Sequence, residues 1–129
     1  PSVSTRYGRG EHTKIFIGRK AFAYPFLSEQ DHKQAILSHE YHHVEQYALG
    51  SAVDPEMVST EILYLLNELD AAYAGIKDVK EGRFTVSKEY YHETISFYQQ
   101  LQNGLRIMQQ QSPEPEQMII ETALQKYSL

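Results

Sequence analysis

The sequence predicts a small α+β domain, predominantly helical, and three observations carry that prediction. β-branched and aromatic residues cluster between glycines near the N-terminus, in Thr13-Lys14-Ile15-Phe16-Ile17-Gly18 and Lys20-Ala21-Phe22, the composition of one strand or a broken pair. Downstream, apolar residues recur every three or four positions over long windows, which is the period of an amphipathic helix. The chain of 129 residues is long enough for one hydrophobic core and short for two, so a single domain over 1–129 is expected.

Each element follows from local chemistry. Residues 1–12 are polar and broken by glycine, and read as a flexible arm. The strand region follows and Pro25 ends it. Ser28-Glu29-Gln30-Asp31 has the form of a capping box, a hydroxyl at the N-cap with an acid three residues on, so a helix is expected from about residue 29 to 49, before Gly50. Asp54-Pro55-Glu56 offers a second start, with Pro at the first helical position, and Val58, Ile62, Leu65, Leu66, Leu69 and Tyr73 keep helical spacing until about Gly75. Ser87 is placed to cap a third helix carrying Tyr91, Ile95, Tyr98, Leu101, Leu105 and Met108. Residues 109–115, three glutamines followed by Ser-Pro-Glu-Pro, read as a connector, and a short helix is expected from about 116 to 127.

Composition narrows the function classes. A net charge of −5 argues against a phosphate-tracking surface, since nucleic-acid binders usually carry a basic stripe. Without cysteine there are no disulfides, no thiolate nucleophile and no thiolate metal ligand, leaving histidines and carboxylates as the metal-binding vocabulary. No apolar run approaches the roughly 18 residues of a membrane span, and the N-terminal residues lack the apolar stretch of a signal peptide. An opening at Pro1 rather than Met fits a processed or excised piece of a longer polypeptide.

The chemistry concentrates in His39-Glu40-Tyr41-His42-His43. Residues four apart on a helix share a face one turn above each other, so His39 and His43 present two imidazoles to a common point, as a two-ligand clamp for Zn²⁺. Glu40 lies about 100° round the helix from His39, close enough to reach a water at the metal without ligating it, which is the position of a general base. Ile36 and Tyr47 continue the clamp face, and Leu37, Val44 and Ala48 form an adjoining apolar stripe expected to bury the helix.

A catalytic zinc keeps three protein ligands, and the second helix offers Glu68, with small Ala71 and Ala72 nearby to permit close approach. Glu61 and Asp70 are the rivals for that place, and a solvated helix carboxylate is the plain alternative for Glu68. His42, off the clamp face, reads as a neighbour of the site or as exposed, and Glu45 as solvated. A group to stabilise a developing oxyanion is sought among Tyr90, Tyr91 and His92, without a spacing argument to choose one.

Taken together, His39-Glu40-Tyr41-His42-His43 followed by Glu68-Leu69-Asp70-Ala71 resembles the gluzincin arrangement of zinc metallopeptidases, in which a downstream Glu-x-x-Ala supplies the third ligand. The longer stretch Ile36 to Gln46, with Glu68 to Tyr73, is similar to compact zincin-like domains at the C-termini of bacterial polymorphic and Rhs-type toxins. One difference is that the acid many gluzincins place four residues after the ligand Glu is replaced by Ala72. The resemblance implies a zincin-like fold and a zinc endopeptidase with Glu40 as base and His39, His43 and Glu68 on the metal. It further implies a protein or peptide substrate, delivery into a target cell or secretion as part of a larger bacterial polypeptide, and an immunity protein as partner. The strand region is expected to offer an edge for an extended substrate. The competing expectation is a non-catalytic helical binding module with a structural metal or none.

Overall fold

The computed structural model describes residues 3–7, 13–17, 31 and 34–129. Strands β1, Val3–Tyr7, and β2, Thr13–Ile17, pair antiparallel in the register Val3↔Ile17 to Tyr7↔Thr13. A π-helical segment, Ala35–Glu40, leads without a break into helix α1, Tyr41–Leu49. Three longer helices follow: α2, Thr60–Lys80, α3, Lys88–Gln111, and α4, Glu114–Lys126.

The core explains the helices. Ile62, Leu66, Leu69, Ala72 and Ile76 lie on one stripe of α2 and close against Tyr98, Leu101 and Leu105 of α3 and Ile120, Ala123 and Leu124 of α4, with Tyr127 at the end of α4 completing the cluster. Each large side chain withdrawn this completely from water stabilises the fold by about 1.5–3 kcal/mol relative to exposure. Ser59 starts α2 by accepting from the Ile62 amide, and Ser87 starts α3 by accepting from the Tyr90 amide.

This architecture overturns the expected α+β class. Among the described residues the buried apolar core comes entirely from α2, α3 and α4 with the residue that caps it, so the domain is helical, and β1–β2 is a two-stranded ribbon and not a sheet layer. Of residues 1–12, read as an arm, the described ones, Val3–Tyr7, pair with β2. Lys20 to Phe22, Pro25 and the Ser28 cap fall outside the described residues.

Three boundaries also move. Asp54 to Met57 form a turn, with Asp54 accepting from the amides of Glu56 and Met57, and α2 begins only after Ser59. Helix α2 then passes through Gly75 to Lys80. Gln109 to Gln111 belong to α3, which leaves Ser112 and Pro113 as the connector to α4.

A second face of α2 positions the site. Glu68, Ala71, Gly75 and Asp78, spaced three and four apart, form a stripe of small and acidic residues facing the π segment and α1, which run antiparallel to it. A Cβ on Gly75 would lie 2.7 Å from Nε2 of the Gln34 side chain, so glycine leaves room for that amide where the two helices meet. Ser38 donates to Asp78 at 2.7 Å. Fully buried Asp31 accepts from both the amide and the hydroxyl of Ser87, at 2.8 Å each, joining the start of this helical run to the cap of α3. The expected apolar stripe on this helix is only partly realised: Val44 is half-buried, Leu37 is exposed, and the side chain of Ala48 is outside the description.

Candidate metal centre

His39 stands near the end of the π segment, His43 in the first turn of α1, and Glu68 on the facing stripe of α2. Their polar tips converge. His39 Nε2 is 3.2 Å from Glu68 Oε2, His43 Nε2 is 3.3 Å from Glu68 Oε1, and the two Nε2 atoms are 3.2 Å apart. Donors held about 2.0–2.1 Å from a tetrahedral ion stand roughly 3.3 Å from one another, and here one atom from each of the three residues lies within 4.8 Å of the others. The group can hold a metal ion, and among the described residues it is the one such group found.

Hydrogen-bond bookkeeping around His43 strengthens the fit. Gln46 Nε2 donates to the Asn67 carbonyl and to Asp70 Oδ2, at 2.9 Å each, which fixes the orientation of its amide. Gln46 Oε1, 2.8 Å from His43 Nδ1, must therefore be accepting, and His43 carries its proton on Nδ1. In the neutral ring the Nε2 lone pair then points at a carboxylate oxygen and at a second imidazole. A proton on His39 Nε2, a proton on His43 or a metal ion among the three relieves that contact. Burial opposes charge on His43, but its contacts with Glu68 outweigh burial, and its pKa is raised. For Glu68, burial alone would raise the carboxyl, while the contacts with His39 and His43 hold it down at about 2, so it stays ionised.

Of the residues singled out from sequence, His39, His43 and Glu68 come together, and Glu40 follows His39 with its side chain buried at 8 % exposure. Glu61 is exposed and apart from the cluster. Asp70 is not the third member: it accepts from Gln46 and stands 3.0 Å from His42 Nε2, an ion-pair approach without the alignment of a hydrogen bond. Asp70 is the chief cause of a raised pKa on His42, against the pull of burial. Glu45 is half-buried, Tyr91 packs on the core, and His92 is exposed. Tyr90 is half-buried, its phenol raised by burial and then by Asp31 and Glu40.

Sequence reasoning missed the supporting layer. Gln46 and Asn67 were given no role, and only the position of Gln46 three residues after His43, one turn along the same helix face, signals that it can reach the ring. Behind His43 a carboxylate does stand: Asp70 accepts from Gln46, whose oxygen faces the His43 ring. The Phe97 ring lies 6.3 Å from that of His39 and is partly exposed, bounding the site from α3.

Among the described residues no helix is long and apolar enough to cross a membrane. No protein-family model matches the chain, and no curated protein or solved structure shows significant similarity to it.

Proposed function

We propose that the domain is a zinc-dependent endopeptidase in which His39, His43 and Glu68 hold the metal and Glu40 is the general base. The observation that carries this reading is the convergence of two imidazole nitrogens 3.2 Å apart on the Glu68 carboxylate, one oxygen at 3.2 Å from His39 and the other at 3.3 Å from His43, with the His43 lone pair turned toward it by Gln46. Zinc is preferred because two imidazoles and one carboxylate are a common ligand set of hydrolytic zinc and no thiolate is present. Bound there, zinc would acidify a water and polarise a carbonyl.

The remaining work falls to the chain. Glu40 accepts a proton from the attacking water and returns it to the leaving amine. Gln46 keeps His43 in its ligating tautomer, and Glu68 remains ionised so that the ligand set carries one negative charge. The likeness of Ile36 to Gln46 and Glu68 to Tyr73 to zincin-like toxin domains supports a protein or peptide substrate and a role as a delivered effector within a larger bacterial polypeptide, with an immunity protein as its natural antagonist. The acidic balance disfavours a nucleic-acid partner.

The test is metal content combined with Glu40→Gln. Protein purified without chelators should carry about one zinc per chain, and His39→Ala or His43→Ala should abolish tight binding. Glu40→Gln should keep zinc and fold while losing hydrolysis of a mixed peptide pool by at least about a hundredfold. A chain that neither contains nor takes up zinc overturns the reading. Zinc-loaded wild type that cleaves nothing yet engages the same partner protein as Glu40→Gln replaces it with a binding module.

A further inference from the structure

The metal centre is backed on one side and open on the other. Behind His43 stand Gln46, the Asn67 carbonyl and Asp70. The His39 side chain is the most exposed of the three, at 20 % against 16 % for Glu68 and 11 % for His43, so water reaches the cluster from the His39 side. Helix α3 brings Phe97 to that ligand: the two ring centres are 6.3 Å apart with their planes tilted by 58°, a spacing at which aromatic rings interact. The tie between Asp31 and the Ser87 cap docks α3 against the same helical run, so the ring is carried on a fixed element. Its neighbours on α3, Tyr98 and Leu101, are buried in the core, whereas Phe97 belongs neither to the core nor to the residues packed against it and is 40 % exposed. A single exposed apolar residue is ordinary on a protein surface. One held beside a ligand at the open side of the site stands where a substrate must lie.

We propose that Phe97 is a specificity-determining residue, the apolar wall on which one substrate side chain packs, so that the site cleaves beside aromatic and large aliphatic residues. The assignment rests on the hydrolase reading above. An extended chain advances roughly 3.3–3.6 Å per residue, so with a carbonyl at the metal, the side chain that meets this ring belongs to a residue flanking the bond under attack. Packing it on Phe97 removes apolar surface from water on both partners, and an aromatic side chain adds the attraction of two tilted rings. A carboxylate side chain there would give up hydration and gain no partner from the ring. Phe97 lies on α3, outside the stretches 36–46 and 68–73 that carry the resemblance to zincin-like domains, so the preference is read from the placement of this ring alone.

The experiment compares zinc-loaded wild type, Phe97→Leu and Phe97→Ala. Two compounds that grip zinc through the same group are titrated by calorimetry: acetohydroxamate, which carries only a methyl, and 3-phenylpropanohydroxamate, which carries an aromatic tail. Wild type should bind the aromatic compound at least about tenfold more tightly. Phe97→Ala should lose about tenfold of that preference while acetohydroxamate affinity and zinc content stay within about twofold, and Phe97→Leu should lose less. On the mixed peptide pool, wild type should cut beside aromatic and large aliphatic residues, and Phe97→Ala should lose that bias. A preference unchanged in both variants overturns the assignment alone, as does wild type that cleaves the pool without the bias. Equal weakening of both compounds in Phe97→Ala also overturns it, because the ring then acts on His39 and not on the substrate. Should Phe97→Ala lose zinc, Phe97→Leu, which keeps most of the bulk, decides by the same comparison. Zinc-loaded wild type that binds neither compound overturns the assignment together with the hydrolase reading.

Discussion

Gln46 is locked against His43: its side-chain oxygen takes the Nδ1 proton at 2.8 Å, and its amide nitrogen is held from behind by the Asn67 carbonyl and Asp70. Replacing Gln46 with leucine keeps much of the volume and removes the acceptor. Gln46→Leu should lower zinc affinity by about 10- to 100-fold, the usual effect of losing a hydrogen bond behind a histidine ligand, with the helical circular dichroism retained. Competition against a chromophoric chelator measures it, and unchanged affinity would show that the tautomer is not set here.

The three acids of α2 weighed as third ligand, Glu61, Glu68 and Asp70, should separate by their distance from the metal. Glu68→Ala removes a ligand and should weaken zinc most. Asp70→Ala should cost less, about tenfold, because Asp70 reaches His43 through Gln46 and is not itself in the cluster. Glu61→Ala, at an exposed position, should leave affinity within about twofold. If Glu61→Ala proves the damaging change, the third ligand is misassigned.

Metal-free and zinc-loaded protein should respond to pH in opposite directions. The Glu68 carboxyl is depressed from 4.5 to about 2, so its contribution to stability is full above pH 4.5 and lost as pH falls toward 2. His43 is raised above 6.5, so its contribution is full below pH 6.5 and lost as pH rises through its folded value. The metal-free protein should therefore melt highest at about pH 5–6 and lower at pH 8.5. Zinc competes with the proton on His43, so its stabilising effect should grow over the same rise. Thermal melts with and without zinc across this range test the crossing, and parallel curves would refute it.

Ser87 both caps α3 and satisfies a buried carboxylate. Ser87→Ala should destabilise the fold by about 2 kcal/mol or more, since a lost cap alone costs about 0.5–2 kcal/mol and the Asp31 charge loses a donor besides. Urea denaturation gives the value. A loss under about 0.5 kcal/mol would mean that the Asp31 tie is energetically idle.

The His-His-Glu cluster was legible in the sequence because helical spacing encodes it directly: a spacing of four between the imidazoles fixes a shared face, and the only added step is which downstream acid meets them. Gln46, Asn67 and Asp70 were not legible, since their roles exist only once α1 and α2 lie side by side. Local patterns misled where tertiary structure competed with them. Asp54-Pro55 looks like a helix start, yet the Asp54 side chain accepts from Glu56 and closes a turn instead. Gly75 looks like a helix end and instead lies within α2, facing the Gln34 side chain. Gln109 to Gln111 looked like a connector because of the nearby prolines, although glutamine itself favours helix. Ile15-Phe16-Ile17 has strand composition, but composition does not say whether a strand joins a layer or stays in an isolated ribbon.

The π turn at Ala35–Glu40 sets the phase of everything before the metal motif. A π turn takes i→i+5 bonds in place of i→i+4, so it absorbs one residue more than an α turn without ending the helix. His39 and His43 keep their spacing whatever happens upstream, but Asp31 and Gln34 meet Ser87 and Gly75 across a segment that carries that extra residue. Deleting one residue from 35–37 and letting the run relax to α geometry would swing the upstream partners by about 100° about the axis. The ligands would stay in register with each other while their foundation came out of step, so the integrity of the metal centre is written partly as a count of residues that never touch it.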